Sequence, residues 1–269
     1  MMLKKIARTM AYIGSIITGF YLFASAPGFH KREKWQHLTG WDYAHRGLHD
    51  NEHGIPENSM AAFQRAVDKG YGIELDVHLT ADNQLVVFHD DTLTRMCGIN
   101  KKISGFLYSY LQQLRLLGTG EGIPLFKDVL ALVDGKVPLI IELKVDGSNQ
   151  NLLCPLVWQL LSGYKGSYCI ESFHPFVLQW FKRHQPQVVR GQLSCNFFKE
   201  NPHCDIVLFL MSNLMTNFFT HPDFIAYKYL DLKNPAVIYN RKLFRIMTVV
   251  WTIPGKPTYD RFKGKVDAM

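Results

Sequence analysis

Seven short apolar runs recur between residues 43 and 253, and stretches with helical spacing separate most of them. They are Tyr43-Ala44-His45, Ile73 to Leu79, Leu139 to Lys144, Tyr168 to Phe173, Val188 to Leu193, Ile225 to Leu232 and Val249 to Ile253; an eighth opens at Val266. Strands that alternate with amphipathic helices build a parallel sheet covered by those helices. The helices carry their own punctuation. Ser59 is placed to cap a helix whose Met60, Phe63 and Val67 share a face before Gly70 ends it, and Phe126, Val129, Leu130 and Val133 repeat the spacing ahead of Gly135. Pro175 suits a first helical turn. Seven or eight such units, with chemically active residues near strand ends, predict an α/β fold, a (β/α)8 TIM-type barrel with its site at the C-terminal ends of the strands. A doubly wound open sheet is the alternative, but no glycine-rich dinucleotide fingerprint supports it.

Ahead of the barrel, Lys4, Lys5 and Arg8 precede an uncharged stretch from Met10 to Phe29. Its length suits one crossing of a bilayer, which takes roughly 20 residues of helix. A cleavable signal peptide is the competitor, with Ala24-Ser25-Ala26 as its small-residue site, but Pro27 would follow the cut directly. The expected organisation is a membrane anchor and linker over residues 1–35 and a barrel over residues 40–269. Lys31, Arg32 and Lys34 balance the basic residues before the span, so sidedness stays open. A second apolar run, Ile206 to Phe219, is too short to span and reads as a buried or interfacial helix.

The formal net charge of +7 suits anionic partners, meaning phosphorylated substrates or an acidic lipid surface. No recognition motif accompanies it, so nucleic acid is not expected. Five cysteines (Cys97, Cys154, Cys169, Cys195 and Cys204) form no CxxC pair, which excludes a cysteine zinc site and leans towards a reducing compartment. Nothing in the sequence sets an oligomeric state.

The run Ile73-Glu74-Leu75-Asp76-Val77-His78-Leu79 puts its apolar residues on one strand face and Glu74 and Asp76 together on the other. Burying two like charges side by side is costly, and a divalent cation relieves the cost; oxygen-only ligands suit magnesium or calcium. Leu139-Ile140-Ile141-Glu142-Leu143-Lys144 offers a third carboxylate, with Lys144 beside it to neutralise a phosphate oxygen. His45 and Arg46 stand where the first strand meets its loop, and Val86-Val87-Phe88 ends in His89. Histidine is the usual general acid or base, and arginine offers a bidentate fork to phosphate.

Together, AHRG (44 to 47), PEN (56 to 58), ELD (74 to 76), FHD (88 to 90) and IELK (141 to 144) resemble the glycerophosphodiester phosphodiesterase family, metal-dependent TIM barrels related to phosphatidylinositol-phospholipase-C-like enzymes. The match in order and spacing runs from about residue 42 to 145, with Ser172-Phe173 and Trp251-Thr252-Ile253 similar to later strands. The resemblance implies that Glu74, Asp76 and Glu142 bind one divalent ion, Ca2+ or Mg2+, with Glu57 in the same polar cluster. It makes His45 and His89 the acid-base pair, with their order open, and it gives Arg46 and Lys144 the phosphate and Trp251 the glycerol pocket. The turn from Asp82 to Gln84 makes the FHD segment a hairpin inserted after strand two, so Glu142 falls on barrel strand three. Met96-Cys97-Gly98 and Pro254 depart from the family pattern at the rim, and Val266-Asp267-Ala268-Met269 would form a truncated last strand.

The implied activity is metal-dependent hydrolysis of a small or lipid-derived glycerophosphodiester to glycerol 3-phosphate and an alcohol. A membrane-bound lysophospholipase D, or an enzyme cutting polyglycerol phosphate, shares the chemistry. A non-catalytic membrane-tethered binding module is the alternative of another class.

Overall fold

Each of the seven strand candidates between residues 43 and 253 contributes a strand in the computed structural model, which describes residues 2–28, 32–199 and 205–269. The strands are β1 (Tyr43–His45), β2 (Gly72–Leu79), β3 (Leu85–Val87), β4 (Leu139–Leu143), β5 (Tyr168–Ser172), β6 (Arg190–Ser194), β7 (Phe224–Lys228) and β8 (Met247–Trp251). Seven run parallel in the order β1-β2-β4-β5-β6-β7-β8, and β3 pairs antiparallel on β2 as the expected hairpin. Residues 267–269 stand between β8 and β1: Val250 N donates to the Ala268 carbonyl at 3.1 Å, and Tyr43 N to that of Met269 at 2.8 Å. The short run at the end of the chain thus occupies the eighth position of the ring, which the open-sheet alternative would leave as two edges.

Three strand boundaries differ from expectation for local reasons. Val188 N donates to the Gln185 carbonyl, which ties it into the turn before β6. Beyond Lys228 the chain coils into a 3-10 turn, Tyr229–Asp231. Arg245 has a left-handed backbone (φ 48), and β8 begins two residues after it, earlier than the apolar run at Val249 suggests. The helix signals hold: Ser59 Oγ accepts from Ala62 N at 3.2 Å, and Gly70 ends the helix with φ 70. Asp134 (φ 46) terminates the Phe126–Val133 helix one residue ahead of Gly135.

Alternation along the strands divides the core into two layers. Ile73, Leu75, Val77, Ile141 and Leu143 face outward and pack on Phe63, Phe126, Val129, Val157 and Phe181 of the surrounding helices. Ile140, Cys169, Leu193, Phe224, Met247 and Val249 fill the lumen with Trp35 and Leu38. Gly191 belongs to this packing, because a Cβ there would lie 2.1 Å from the Phe224 ring.

The hairpin insertion is larger than expected. Residues 80–124 enclose a satellite core of Val86, Phe88, Leu93, Met96, Ile103, Leu111, Leu116 and Ile123. The long apolar stretch near the N-terminus forms one helix, α1 (Met2–Ser25), exposed along almost its whole length. The run from Ile206 to Phe219 is two short helices, Ile206–Ser212 and Asn217–Thr220, broken at Leu214 (φ 54) and half exposed rather than one buried helix. Phe29, Lys31 and Cys204 fall outside the described residues; the four other cysteines are free thiols.

Candidate active site

Register places the acidic side chains. Asp76 of β2 pairs with Glu142 of β4, and Glu142 pairs with Glu171 of β5, while Glu74 lies opposite His45 of β1. Because side chains alternate, residues on these rows share the inner face at the C-terminal half of the ring. One carboxylate oxygen each from Glu74, Asp76 and Glu142 lie within 4.8 Å of one another. All three acids are buried or nearly so.

Loop backbones complete the frame. Arg46 (φ 57) and Gly47 (φ 80) are both left-handed, which turns Arg46 N onto Glu74 Oε2 at 2.9 Å. A non-glycine left-handed residue costs about 1–2 kcal/mol, so the contact it serves must offset that. Glycine is required next, since a Cβ at residue 47 would stand 2.9 Å from that of Ala62. Asn58, also left-handed, donates from Nδ2 to Asp76 Oδ2 at 2.8 Å.

Two cations neutralise part of the cluster. Lys144 Nζ lies 2.8 Å from Glu142 Oε1 and 3.0 Å from Asp76 Oδ1, and Arg46 Nε is 3.7 Å from Asp76 Oδ2. Arg46 also donates from Nη1 to Glu57 Oε1 at 2.7 Å. Glu57 is held by Arg95 as well, through Nη1 at 2.9 Å and Nη2 at 2.6 Å, and Arg95 reaches on to Asp90. Glu57 therefore sits behind Arg46 instead of at the pocket wall, and it positions that guanidinium.

The charge balance suits a bound cation. Burial, and then Asp76 and Glu142, raise the Glu74 carboxyl well above the ordinary range. Burial raises Glu142 to about 7 against the pull of Lys144. Glu171, buried, is raised too by burial and by Glu142, and its Oε2 has no hydrogen-bond partner among the described residues. At an effective dielectric near 20, unit charges ~4.8 Å apart repel by about 3 kcal/mol. Lys144 and the more distant Arg46, which is shared with Glu57, leave these acids undercompensated, and a divalent cation among their oxygens would relieve the repulsion. The donor set fits calcium or magnesium and no thiophilic metal.

The histidines flank this cluster. His45 Nε2 is 4.0 Å from Glu74 Oε2 and 3.5 Å from Thr252 Oγ1. Burial, then Arg46, lowers it to about 4, so it is neutral at pH 7. His89 Nδ1 pairs with Asp90 Oδ1 at 2.6 Å, and burial lowers this imidazole also. Both line a cavity of about 640 Å³ with Arg46, Glu74, Glu142 and Glu171. Opposite the charges, the wall is apolar: Ile140, Leu193, Val249, Phe173 and Trp251, the last two edge-to-face at 5.7 Å.

Residues 45–202 match the sequence profile of the Glycerophosphoryl diester phosphodiesterase family. The chain belongs to that family. It is 36% identical over 165 residues to the lysophospholipase D GDPD1 of Rattus norvegicus, a match covering 56% of this chain and 50% of that protein. It is 40% identical over 163 residues to a glycerophosphodiester phosphodiesterase of Caldanaerobacter subterraneus subsp. tengcongensis, covering 56% of this chain and 65% of the relative. The chain thus spans about half the length of the rat protein. Among solved structures, a glycerophosphodiester phosphodiesterase from Parabacteroides distasonis is similar with 27% identity and a TM-score of 0.66, over 85% of this chain and 90% of that one. An Oleispira antarctica phosphodiesterase in complex with sn-glycerol-3-phosphate shares the fold, with a TM-score of 0.70 at 20% identity over 88% and 94%.

Membership of the glycerophosphoryl diester phosphodiesterase family puts the quoted motifs in one place. The structure brings together His45, Arg46, Glu74, Asp76, His89, Glu142 and Lys144, with Trp251 across the cavity. Met96, one of the family departures, is buried in the satellite core rather than at the rim. Sequence reasoning missed Asn58, Arg95, Asp90 and Glu171. Asn58 stood inside the PEN motif beside Glu57, and Glu171 directly before Ser172-Phe173, so a local signal existed for both; Arg95 had none.

Proposed function

We propose that the chain hydrolyses glycerophosphodiesters to glycerol 3-phosphate and an alcohol; its similarity to a bacterial glycerophosphodiester phosphodiesterase supports the substrate class. The observation that carries this reading is the convergence of Glu74, Asp76 and Glu142 between two imidazoles at one cavity.

Held by those three acids, Ca2+ or Mg2+ would supply positive charge to the non-bridging phosphate oxygens. The protein's own residues do the rest. Arg46, fixed by Glu57, presents its guanidinium to the phosphate, and Lys144 favours the ionised forms of Asp76 and Glu142 and aims both inward. Neutral His45 can accept a proton from the attacking oxygen at pH 7. Asp90 accepts from His89 Nδ1 and works against the lowering of this imidazole by burial; in the imidazolium form the Nε2 proton is then the one passed to the departing alkoxide, leaving the neutral ring. Trp251 and Phe173 give the glycerol an apolar wall. Release of glycerol 3-phosphate from glycerophosphocholine, lost in excess chelator and restored by Ca2+ or Mg2+, tests the reading; full activity without cation refutes it.

The wall favours a second substrate, because an acyl-bearing lysophospholipid would use apolar surface that glycerophosphocholine leaves bare. A relative named lysophospholipase D supports it. Turnover of lysophosphatidylcholine against glycerophosphocholine separates the two.

We further assign residues 1–35 to a membrane anchor with its linker and residues 40–269 to the catalytic barrel. α1 is long and apolar enough to cross a membrane, although near an N-terminus a signal sequence passes the same test. Retention is favoured by its end: the Ser25 carbonyl accepts from the buried Asn217 and Asn240 amides at 3.0 and 2.9 Å. Cleavage beyond Ala26 would strip two buried donors of their partner. Mass measurement of the mature chain decides, and a start at Pro27 would rule the anchor out.

A further inference from the structure

α1 reaches the barrel without a spacer. Its last turn is buried against the Ile206–Thr220 segment and the turn that starts at Asn240. Tyr21 Oη donates to Asn213 Oδ1 at 3.0 Å, the Phe23 and Phe218 rings meet at a tilt with centroids 6.1 Å apart, and Asn217 and Asn240 hold the Ser25 carbonyl. The charge-free part of the helix, Thr9 to Ser25, measures about 25 Å at ~1.5 Å per residue. A bilayer core is about 30 Å thick. A helix that short spans only if the surface around Ser25 is drawn up to the head groups.

That surface is built for it. In the Ile206–Thr220 segment that packs on the end of α1, Ile206, Val207, Phe209 and Phe218 are exposed, the first two at 68% and 56%, and Leu243, three residues after Asn240, is exposed at 66%. Leu243 is flanked by Lys242 and Arg241, and Arg241 and Arg245 line a cleft together with Pro27 and Gly28, just past the end of α1. Apolar side chains interspersed with cations are the composition of an interfacial membrane contact. Isolated exposed apolar residues are ordinary, but several of them on two short consecutive helices, one of which packs Phe218 against Phe23 of a candidate span, are not.

We infer that this collar, Ile206, Val207, Phe209, Phe218 and Leu243 with Arg241 and Lys242, docks the barrel onto the bilayer that α1 crosses. The inference rests on the anchor reading above. Its consequence for the site follows from the aromatic residues that join the two. Phe198 contacts Phe209 of the collar (6.2 Å), and its neighbour Phe197 contacts Phe173 of the cavity wall (5.9 Å). An acyl-bearing phosphodiester in the membrane would meet the cavity along an apolar path.

The test uses the full chain in vesicles of phosphatidylcholine and phosphatidylglycerol, with an environment-sensitive fluorophore on single introduced cysteines. Val207→Cys, Phe218→Cys and Leu243→Cys are compared with Leu107→Cys on the insertion and Ile13→Cys in α1, each corrected for labelling of the parent chain. Blue-shifted emission and quenching by acyl-chain nitroxides at the three collar sites, with Leu107 unaffected, is expected. Collar probes that behave like Leu107 while Ile13 is quenched would overturn the collar and leave the anchor standing. An unquenched Ile13 would remove both. Shielding that follows protein density instead of quencher lipid would assign the face to a second copy of the chain and overturn the membrane contact.

Discussion

Asn58 donates a 2.8 Å hydrogen bond from Nδ2 to Oδ2 of Asp76, the most deeply buried of the three clustered acids. Partners of this kind orient ligating carboxylates, and losing one typically costs 10–100-fold in metal affinity. Asn58→Ala should therefore weaken Ca2+ or Mg2+ binding by about that factor while circular dichroism stays unchanged. Unaltered affinity in calorimetric titration would mean that Lys144 alone directs Asp76.

Glu142→Gln should abolish cation binding and turnover without unfolding the barrel. The wild-type chain should bind cation more tightly as pH rises. Glu142, raised to about 7 by burial, holds its proton below that pH, and the cation must displace it. Titrations at pH 6 and pH 8 check this, and equal affinities would show that Glu142 is not a ligand.

His45→Ala and His89→Ala should each lower kcat by roughly 10²–10⁴-fold. Burial and Arg46 bring His45 down to about 4, so at saturating cation its base form persists well below the usual histidine range. If His45 is the base, the acid limb of the rate profile lies nearer pH 4 than 6.5; a limb at 6.5 would give the base role to another group.

The Glu57–Arg95 pair contributes to acid stability. Although burial opposes ionisation, hydrogen bonds from Arg95 and Arg46 hold Glu57 at about 2, below its ordinary 4.5. A depressed carboxyl stabilises the fold above its unfolded value, and that contribution is lost as pH falls from about 4.5 towards 2. Glu57→Gln should flatten the decline of Tm over that window. A decline identical to the parent's would place the acid-sensitive groups elsewhere.

Much of this was legible along the chain because period-2 alternation is a local property. Ile73 to Leu79 announces which side chains face the helices and which face the lumen, and the same holds for Leu139 to Lys144. The residues that sequence reasoning missed act across distance. Arg95 meets Glu57 from 38 positions away, and Glu171 becomes part of the cluster only through the β4–β5 register. Glu57, expected in the same polar cluster, joins it from behind Arg46, held there by the Arg46 and Arg95 guanidiniums.

By itself, then, the sequence determined the strand–helix repeat, the inward faces of β2 and β4, and the identities of the acids and imidazoles, because all of these follow from spacing between near neighbours. Tertiary structure alone decided the 4.8 Å convergence of three acids, the displacement of their pKa values by shared burial, and the seating of α1 against Asn217 and Asn240. The physical reason is that charge repulsion, desolvation and buried hydrogen bonds depend on separations in space, which only strand register and ring closure set.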